Sequence, residues 1–358
     1  MKKQVALLGL MLFAIVFTGC SRVDSEQTAA KKPPPGSVLL RGAGATFPSL
    51  LYEKWFAQYQ QLHPEVFITY DAVGSGAGVE RFIGVGAEAE KQVEFGASDT
   101  AMSDAEMVKV PRGVRLIPMT ASGIALAYNI PGLRGELKLS REAYTGIFLG
   151  KIRNWNDPVI RRCNPDLQLP KMTIAVVTRR DSSGTTFAFT KHLDAVSPEW
   201  SRKYGAANFV DFPCGPMRAK GNEGVAMLIE HSAGSIGYVG LGFAQKLGLK
   251  AAALENRAGR YVEPTYESAM AAMASAELPE NLRLFLPDPE GEDSYPIVTL
   301  SWILLYQDYD YPEKAEAVKG LFGWCLEAGQ TFSRDLGYVP LAPKMVNQAS
   351  AALKTIRP

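Results

Sequence analysis

Histidine and cysteine are scarce in this chain, with 3 and 4 copies among 358 residues. His63, His192 and His231 stand far apart and no C-x-x-C occurs, so no metal centre is expected. An excess of one charge is also missing. The net charge is +1, and it becomes −1 once residues 1–19 are set aside with Lys2 and Lys3, leaving 36 basic against 37 acidic residues. Without a global positive field, nucleic acid is not an expected partner, and any bound anion must be held by local dipoles and hydrogen bonds. The usual catalytic signatures fail as well. There is no G-x-S-x-G elbow. Gly42-Ala43-Gly44 lacks the third glycine of a dinucleotide fingerprint. Gly146 to Ile152 falls one residue short of a nucleotide phosphate loop and places Ile152 where Ser or Thr is required. A nucleophile at Thr46, Ser75 or Ser183 has no partner base. No enzyme, no cofactor and no internal repeat are expected.

What is present begins with a processing signal. Lys2-Lys3 is a charged n-region, and Val5 to Phe17 is an apolar stretch too short for a comfortable membrane span. Phe17-Thr18-Gly19-Cys20 resembles a lipobox, with Phe17 where a leucine-like residue is usual. Residues 1–19 are therefore read as a lipoprotein signal peptide and Cys20 as the lipidated residue. An ordinary secretory signal with Cys20 incidental is the alternative. Residues 20–37 are polar, contain Pro33-Pro34-Pro35, and read as a flexible tether. The remaining cysteines are Cys163, Cys214 and Cys325. An odd number permits at most one internal disulfide, and spacing does not choose between a bridge and three buried thiols. An apolar fraction of 47% and a charged fraction of 21% suit a folded globular chain.

The densest chemistry lies at Thr178 to Phe187, T-R-R-D-S-S-G-T-T-F. The apolar run Thr173 to Val177 predicts a strand before it, and Phe187 to Leu193 a helix after it. A strand-to-helix turn presents unpaired backbone N–H groups and a partial positive charge, which suits an anion. Arg179 or Arg180 supplies a guanidinium fork for two oxyanion oxygens. Three further turns have the same character. Arg41 to Pro48 (R-G-A-G-A-T-F-P) leads into a helical pattern from Leu50. Gly74-Ser75-Gly76-Ala77-Gly78 joins a strand pattern at Val66–Tyr70 to a helical one at Val79–Ile83. Glu94 to Asp99 ends an apolar stretch, and a helix restarts at Ser103. One shared anion site is the most economical account of four such turns. Taken alone, Asp99 could equally cap the helix that follows.

In combination these segments resemble the periplasmic phosphate-binding protein of the high-affinity phosphate ABC importer. The motifs are G-A-G-A-T-F-P, G-S-G-A-G, F-G-A-S-D and R-x-D-x-S-G-T, joined by Tyr144 to Asp157, Lys220 to Ala226 and Gly234 to Val239. The similarity runs from about Leu39 to near the C-terminus. The alternation of strand and helix patterns, with further strands expected at Ile124–Asn129 and Tyr295–Tyr306, favours α/β lobes with mainly parallel sheets. The resemblance implies an α/β, two-lobed periplasmic-binding-protein fold (type II-like) with two crossing segments near Thr120 and Pro296. One lobe would hold 38–120 plus 296–358 and the other 121–295, with ligand in the cleft between. The aromatic stretch Leu321 to Trp324 is expected in the core.

The resemblance also assigns roles. Thr46 reaches phosphate by hydroxyl and amide, Phe47 by its backbone N–H, and Ser75 by its hydroxyl. Ser183, Gly184 and Thr185 are the donors at the second lobe's helix start. Arg179 is the ligand-binding arginine, with Arg180 as the alternative register, and Asp181 holds that arginine by a charge-assisted pair. Asp99 accepts the proton that phosphate carries and sulfate lacks at neutral pH, so an unprotonated anion faces an unpaired buried carboxylate. The implied protein is a monomer that captures inorganic phosphate outside the cytoplasm, is anchored to the membrane at Cys20, and serves an ABC permease. Another tetrahedral oxyanion, a tethered phosphate sensor, or a phosphatase on the same scaffold are the alternatives.

Overall fold

The computed structural model describes residues 33–358. The signal segment, Cys20 and the tether up to residue 32 lie outside the described residues. The strands are β1 (Val38–Gly44), β2 (Val66–Ala72), β3 (Phe95–Ser98), β4 (Val114–Asn129), β5 (Lys138–Leu139), β6 (Ala175–Arg179), β7 (Met217–Ala219), β8 (Ser235–Gly240), β9 (Lys250–Ala251), β10 (Ala253–Glu255), β11 (Tyr261–Val262) and β12 (Val298–Tyr306). The large sheet has the order β2-β1-β3-β12-β4-β8-β6-β7, with β9 beside β4; β11, β10 and β5 form a small sheet.

The alternation of strand and helix reappears as parallel units at the two ends of the sheet. β1 pairs in parallel with β2 and β3 through the helices Ser49–Leu62 and Ser75–Ile83, and β6 pairs in parallel with β7 and β8. The centre is antiparallel, because β12 returns from late in the chain between β3 and β4, and β8 runs against β4. Apolar periodicity carries no strand direction, so the expectation of mainly parallel pairing holds only at the ends.

β4 ties the sheet together. Its first part, through Gly123, pairs with β12, and its last part, from Ile124 to Asn129, pairs with β8. The strand expected at Ile124–Asn129 is thus the second half of one 16-residue strand, buried along nearly all its length. A strand covered on both faces reads as a continuous apolar run without alternation. Pro118 lies within it and has no N–H for the ladder. The register with β12 shifts beside it, from Ser301↔Thr120 to Trp302↔Pro118, so Met119 is an extra residue. On its other side β12 pairs with β3, and the register Trp302↔Ser98 brings Ser301 beside Asp99 in the site described below.

The starts of two strands moved relative to the sequence reading. β6 starts at Ala175, not Thr173, and extends to Arg179. Thr173 is taken by an isolated bridge to Asn154, while Thr178 and Arg179 pair with β7, a short strand with no apolar run to announce it. β12 starts at Val298, not Tyr295. Helix Ser49–Leu62 buries Leu51, Tyr52, Trp55, Phe56 and Tyr59, the three-and-four spacing of one helix face. Helix Ser75–Ile83 lies so close to β1 that a Cβ on Gly78 would sit 2.3 Å from Gly44 Cα. Leu321 and Phe322 are fully buried in helix Pro312–Leu326, in the core as expected. Cys163, Cys214 and Cys325 are unpaired thiols.

Candidate functional site

The turns singled out in the sequence are bonded to one another. Gly74 N–H donates to Gly44 C=O (2.8 Å), Ala45 N–H to Ala97 C=O (2.9 Å), and Gly76 N–H to Ser182 C=O (3.2 Å). These contacts join the starts of helices Ser49–Leu62, Ser75–Ile83 and Gly184–Val196 to the end of β3. A further helix, Gly221–His231, adds its own start through Asn222. The arrangement concentrates unpaired amides and helix dipoles at one place.

Thr46, Phe47, Ser75, Asp99, Arg179, Ser183, Gly184 and Thr185 are all buried there. Ser183 caps helix Gly184–Val196, its Oγ accepting from Thr186 N–H (3.1 Å). Gly184 admits no side chain, since a Cβ would lie 2.6 Å from Asp99 Cβ and 2.7 Å from Ser75 Oγ. Phe47 is anchored by its carbonyl, which accepts from the Tyr338 hydroxyl (2.6 Å).

The hydroxyls share one pattern. Ser75 Oγ accepts from Asp99 N–H (3.2 Å) and from Gly184 N–H (3.1 Å). Thr46 Oγ1 accepts from Asn222 N–H (3.1 Å) and Asn222 Nδ2 (2.9 Å). Thr185 Oγ1 accepts from Asn222 Nδ2 (3.1 Å) and, at 3.5 Å, from Arg179 Nη1. A hydroxyl has two lone pairs and one proton. With both lone pairs engaged, each of these groups has only its proton left to offer.

Of the two arginines, Arg179 is buried and Arg180 exposed. Arg179 Nε donates to Asp181 Oδ1 (2.9 Å) and its Nη2 to Asp181 Oδ2, a bidentate fork. Gly221 N–H also donates to Asp181 Oδ1 (3.1 Å). Burial pushes the Asp181 carboxyl up, but the Arg179 fork and the Gly221 amide outweigh it, so it sits below the ordinary aspartate value. Arg179 N–H donates to the Tyr238 hydroxyl (3.3 Å), which shares a hydrogen bond with Thr186 Oγ1 (2.8 Å).

Asp99 is 1% exposed, and burial lifts its carboxyl from 3.8 to about 7. The Ser301 hydroxyl, the Arg179 charge and the Ser75 hydroxyl pull the other way. Ser301 Oγ donates to Asp99 Oδ1 at 2.8 Å. Asp99 does not cap the helix that follows it. Ser103 does so, in a capping box with Glu106. Sequence reasoning assigned no role to Asn222, Ser301, Tyr238 or Thr186. Asn222, Tyr238 and Thr186 stand within segments singled out above; Ser301 is hidden in an apolar run.

Comparison with known proteins defines the class first. A profile for the PBP superfamily domain matches residues 23–328. The phosphate-binding protein from Stenotrophomonas maltophilia has the same fold, with a TM-score of 0.71 at 20% identity, covering 88% of this chain and 94% of that one. Among closer relatives, the phosphate-binding protein PstS of Pasteurella multocida is 37% identical over 348 residues, covering 96% of this chain and 95% of its own. That of Haemophilus influenzae is 38% identical over 319 residues, covering 88% and 92%. The chain belongs to the phosphate-binding protein PstS family, a family of binding receptors and not of enzymes.

Proposed function

We propose that this chain captures inorganic phosphate at the junction of these helix starts and delivers it to the permease of an ABC importer. The observation that carries the reading is the donor set. Three buried hydroxyls, on Thr46, Ser75 and Thr185, have their lone pairs filled; the Thr46 and Thr185 protons are free, and the Ser75 proton is shared with Asp99. Beside them lie Arg179, held flat by Asp181, and the amide of Phe47 ahead of a helix start, while the Ser183 and Gly184 amides now donate to Asn208 C=O and Ser75 Oγ. Such a set satisfies an anion rich in oxygens without a compensating surface charge. The names of the close relatives support phosphate as that anion.

Asp99 supplies the selectivity. Every other group offered is a donor, so one buried acceptor demands one proton on the ligand. Protonated phosphate meets that demand, with Asp99 Oδ2 accepting while Ser301 holds Oδ1. Sulfate has no proton, so the carboxylate must either take one from water or face an oxygen lone pair.

The binding event is a closure. Ser75 now holds Gly184, and Thr46 holds Asn222. Separating and rejoining these pairs would open and shut the site, and the change of partner along β4 at Gly123–Ile124 supports a hinge there. On this reading one lobe holds 38–120 plus 296–358 and the other 121–295. Cys20 carries the lipid and residues 20–37 tether a monomeric binding domain. No helix among the described residues is long and apolar enough to cross a membrane.

The test is calorimetric titration of the domain from Ser37 onward, stripped of anion, with phosphate and with sulfate. Micromolar or tighter phosphate binding with no sulfate response is expected, and Asp99→Asn should narrow the gap between the two. Equal binding of both by the parent would keep an oxyanion receptor but overturn the selectivity role. No response to either would overturn the reading. Mass spectrometry of the membrane-derived protein checks the diacylglycerol mass on Cys20.

A further inference from the structure

We propose that Asn222 is a positioning residue for the bound anion. Its amide sets the rotation of the Thr46 and Thr185 hydroxyls so that both present a proton to phosphate and neither presents a lone pair. This deepens, and rests on, the phosphate reading above.

Asn222 is 1% exposed, the second residue of helix Gly221–His231. Its Nδ2 donates to Thr46 Oγ1 (2.9 Å) and to Thr185 Oγ1 (3.1 Å), and its backbone N–H adds a second bond to Thr46 Oγ1 (3.1 Å). The two ends of a carboxamide are distinguished only by their partners. Here the partner is decisive. Oδ1 accepts from Gly240 N–H at 2.8 Å, a group that can only donate, so Nδ2 must face the two threonines. Gly240 is itself held close, since a Cβ there would lie 2.9 Å from the Phe47 ring. The orientation thus runs from packing around Phe47, through Gly240, to the amide, and from the amide to two hydroxyls on distant segments.

The consequence for an anion is directional. A threonine hydroxyl left to rotate spends part of its time with a lone pair towards the ligand, which repels a phosphate oxygen. Filling the lone pairs from behind removes those rotamers before the ligand arrives, so their loss is not charged to binding. Asn222 does this without touching the anion.

Two substitutions test it, by calorimetry with inorganic phosphate at about pH 8 and about pH 5. The parent is measured in parallel, and melting curves verify the fold. Asn222→Ala removes the Nδ2 donor to both threonines, leaving only the backbone N–H on Thr46 Oγ1, and should weaken phosphate about tenfold, the order expected for hydroxyls released from such bonds. Asn222→Asp keeps the shape but turns Nδ2 into an acceptor that captures both hydroxyl protons and sets a charge near the anion. It should lose on the order of a hundredfold or more at the higher pH. At the lower pH the introduced buried carboxyl is protonated and regains a donor, so the loss relative to the parent should shrink by about tenfold. A merely structural role would not produce that recovery. Alanine binding within about twofold of the parent, or an aspartate loss equal to the alanine loss at both pH values, would overturn the role. Should the aspartate variant fail to fold, the alanine result alone decides. A parent that binds no phosphate would instead overturn the phosphate reading, and this role with it.

Discussion

Replacing Asp99 by asparagine should stabilise the anion-free protein at neutral and alkaline pH, although it removes a binding group. The carboxyl is 1% exposed and raised by burial from 3.8 to about 7. Because the folded value lies above the unfolded one, the folded state holds a proton that the unfolded state has lost between these limits. Stability therefore falls as pH rises through that window, and the full cost is present above about pH 7. At about 1.4 kcal/mol for each tenfold, the shift from 3.8 to about 7 corresponds to about 4 kcal/mol at most. Asparagine has nearly the same shape and keeps an Oδ1 for the Ser301 hydroxyl, which now lies 2.8 Å from the carboxylate. It carries no charge, so the variant escapes the cost. Urea and thermal melts of anion-stripped parent and Asp99→Asn, from about pH 4 to about pH 9, read the difference. The gap should be near zero at the acid end, widen up to about pH 7 and stay level beyond it, with the melting temperature several degrees higher in the variant. A variant less stable than the parent at about pH 8, or a gap that does not change with pH, would refute the desolvated-charge account.

Three more outcomes are expected. Ser301→Ala removes the O–H donor at 2.8 Å from Asp99 Oδ1 and should weaken phosphate binding about tenfold, measured by titration, as a donor to a charged group is worth about 1.5–3 kcal/mol; unchanged affinity would remove Ser301 from the site. Arg179→Lys forfeits the fork on Asp181 and should cost at least about tenfold in affinity. Exposed Arg180→Ala should cost little, and the reverse order would shift the register of the anion site by one residue. His192 is buried neutral, and burial lowers its pKa from 6.5 to about 4. The folded value lies below the unfolded one, so stability is lost as pH falls from about 6.5 towards 4, by at most about 3 kcal/mol. His192→Gln should flatten that acid limb in urea midpoints, and an identical acid limb in both proteins would count against it.

Much of the site was legible because its residues lie in short turns with local signatures. G-A-G-A-T-F-P, G-S-G-A-G and R-x-D-x-S-G-T each place small residues and hydroxyls just ahead of a helical pattern, and the physics of a helix start is local. Asp99 needed the company of the other motifs, since a carboxylate before a helix is as often a cap; in the structure Ser103 holds that post. The choice between Arg179 and Arg180 rested on counting back from Ser-Gly-Thr. β6 is buried from Val176 to Arg179, where its pairing with β7 ends, and Arg180 lies just beyond the strand and is exposed.

By itself the sequence determined the alternation of strands and helices, the helix-start turns, the absence of metal and nucleophile signatures, and the membership of the family. Each of these depends on neighbouring residues or on a linear order of motifs. Only the tertiary structure decided which way the central strands run, that β4 is one strand shared among β12, β8 and β9, and that Ser301 and Asn222 stand behind Asp99 and the threonines. Those facts depend on pairs of residues far apart in the chain. Ser301 reaches Asp99 because β12 runs antiparallel to β3 with Trp302 opposite Ser98, and Asn222 reaches Thr46 and Thr185 because three helix starts meet. The hydroxyl direction that an anion would read is set by these long-range partners, and no stretch of sequence contains it.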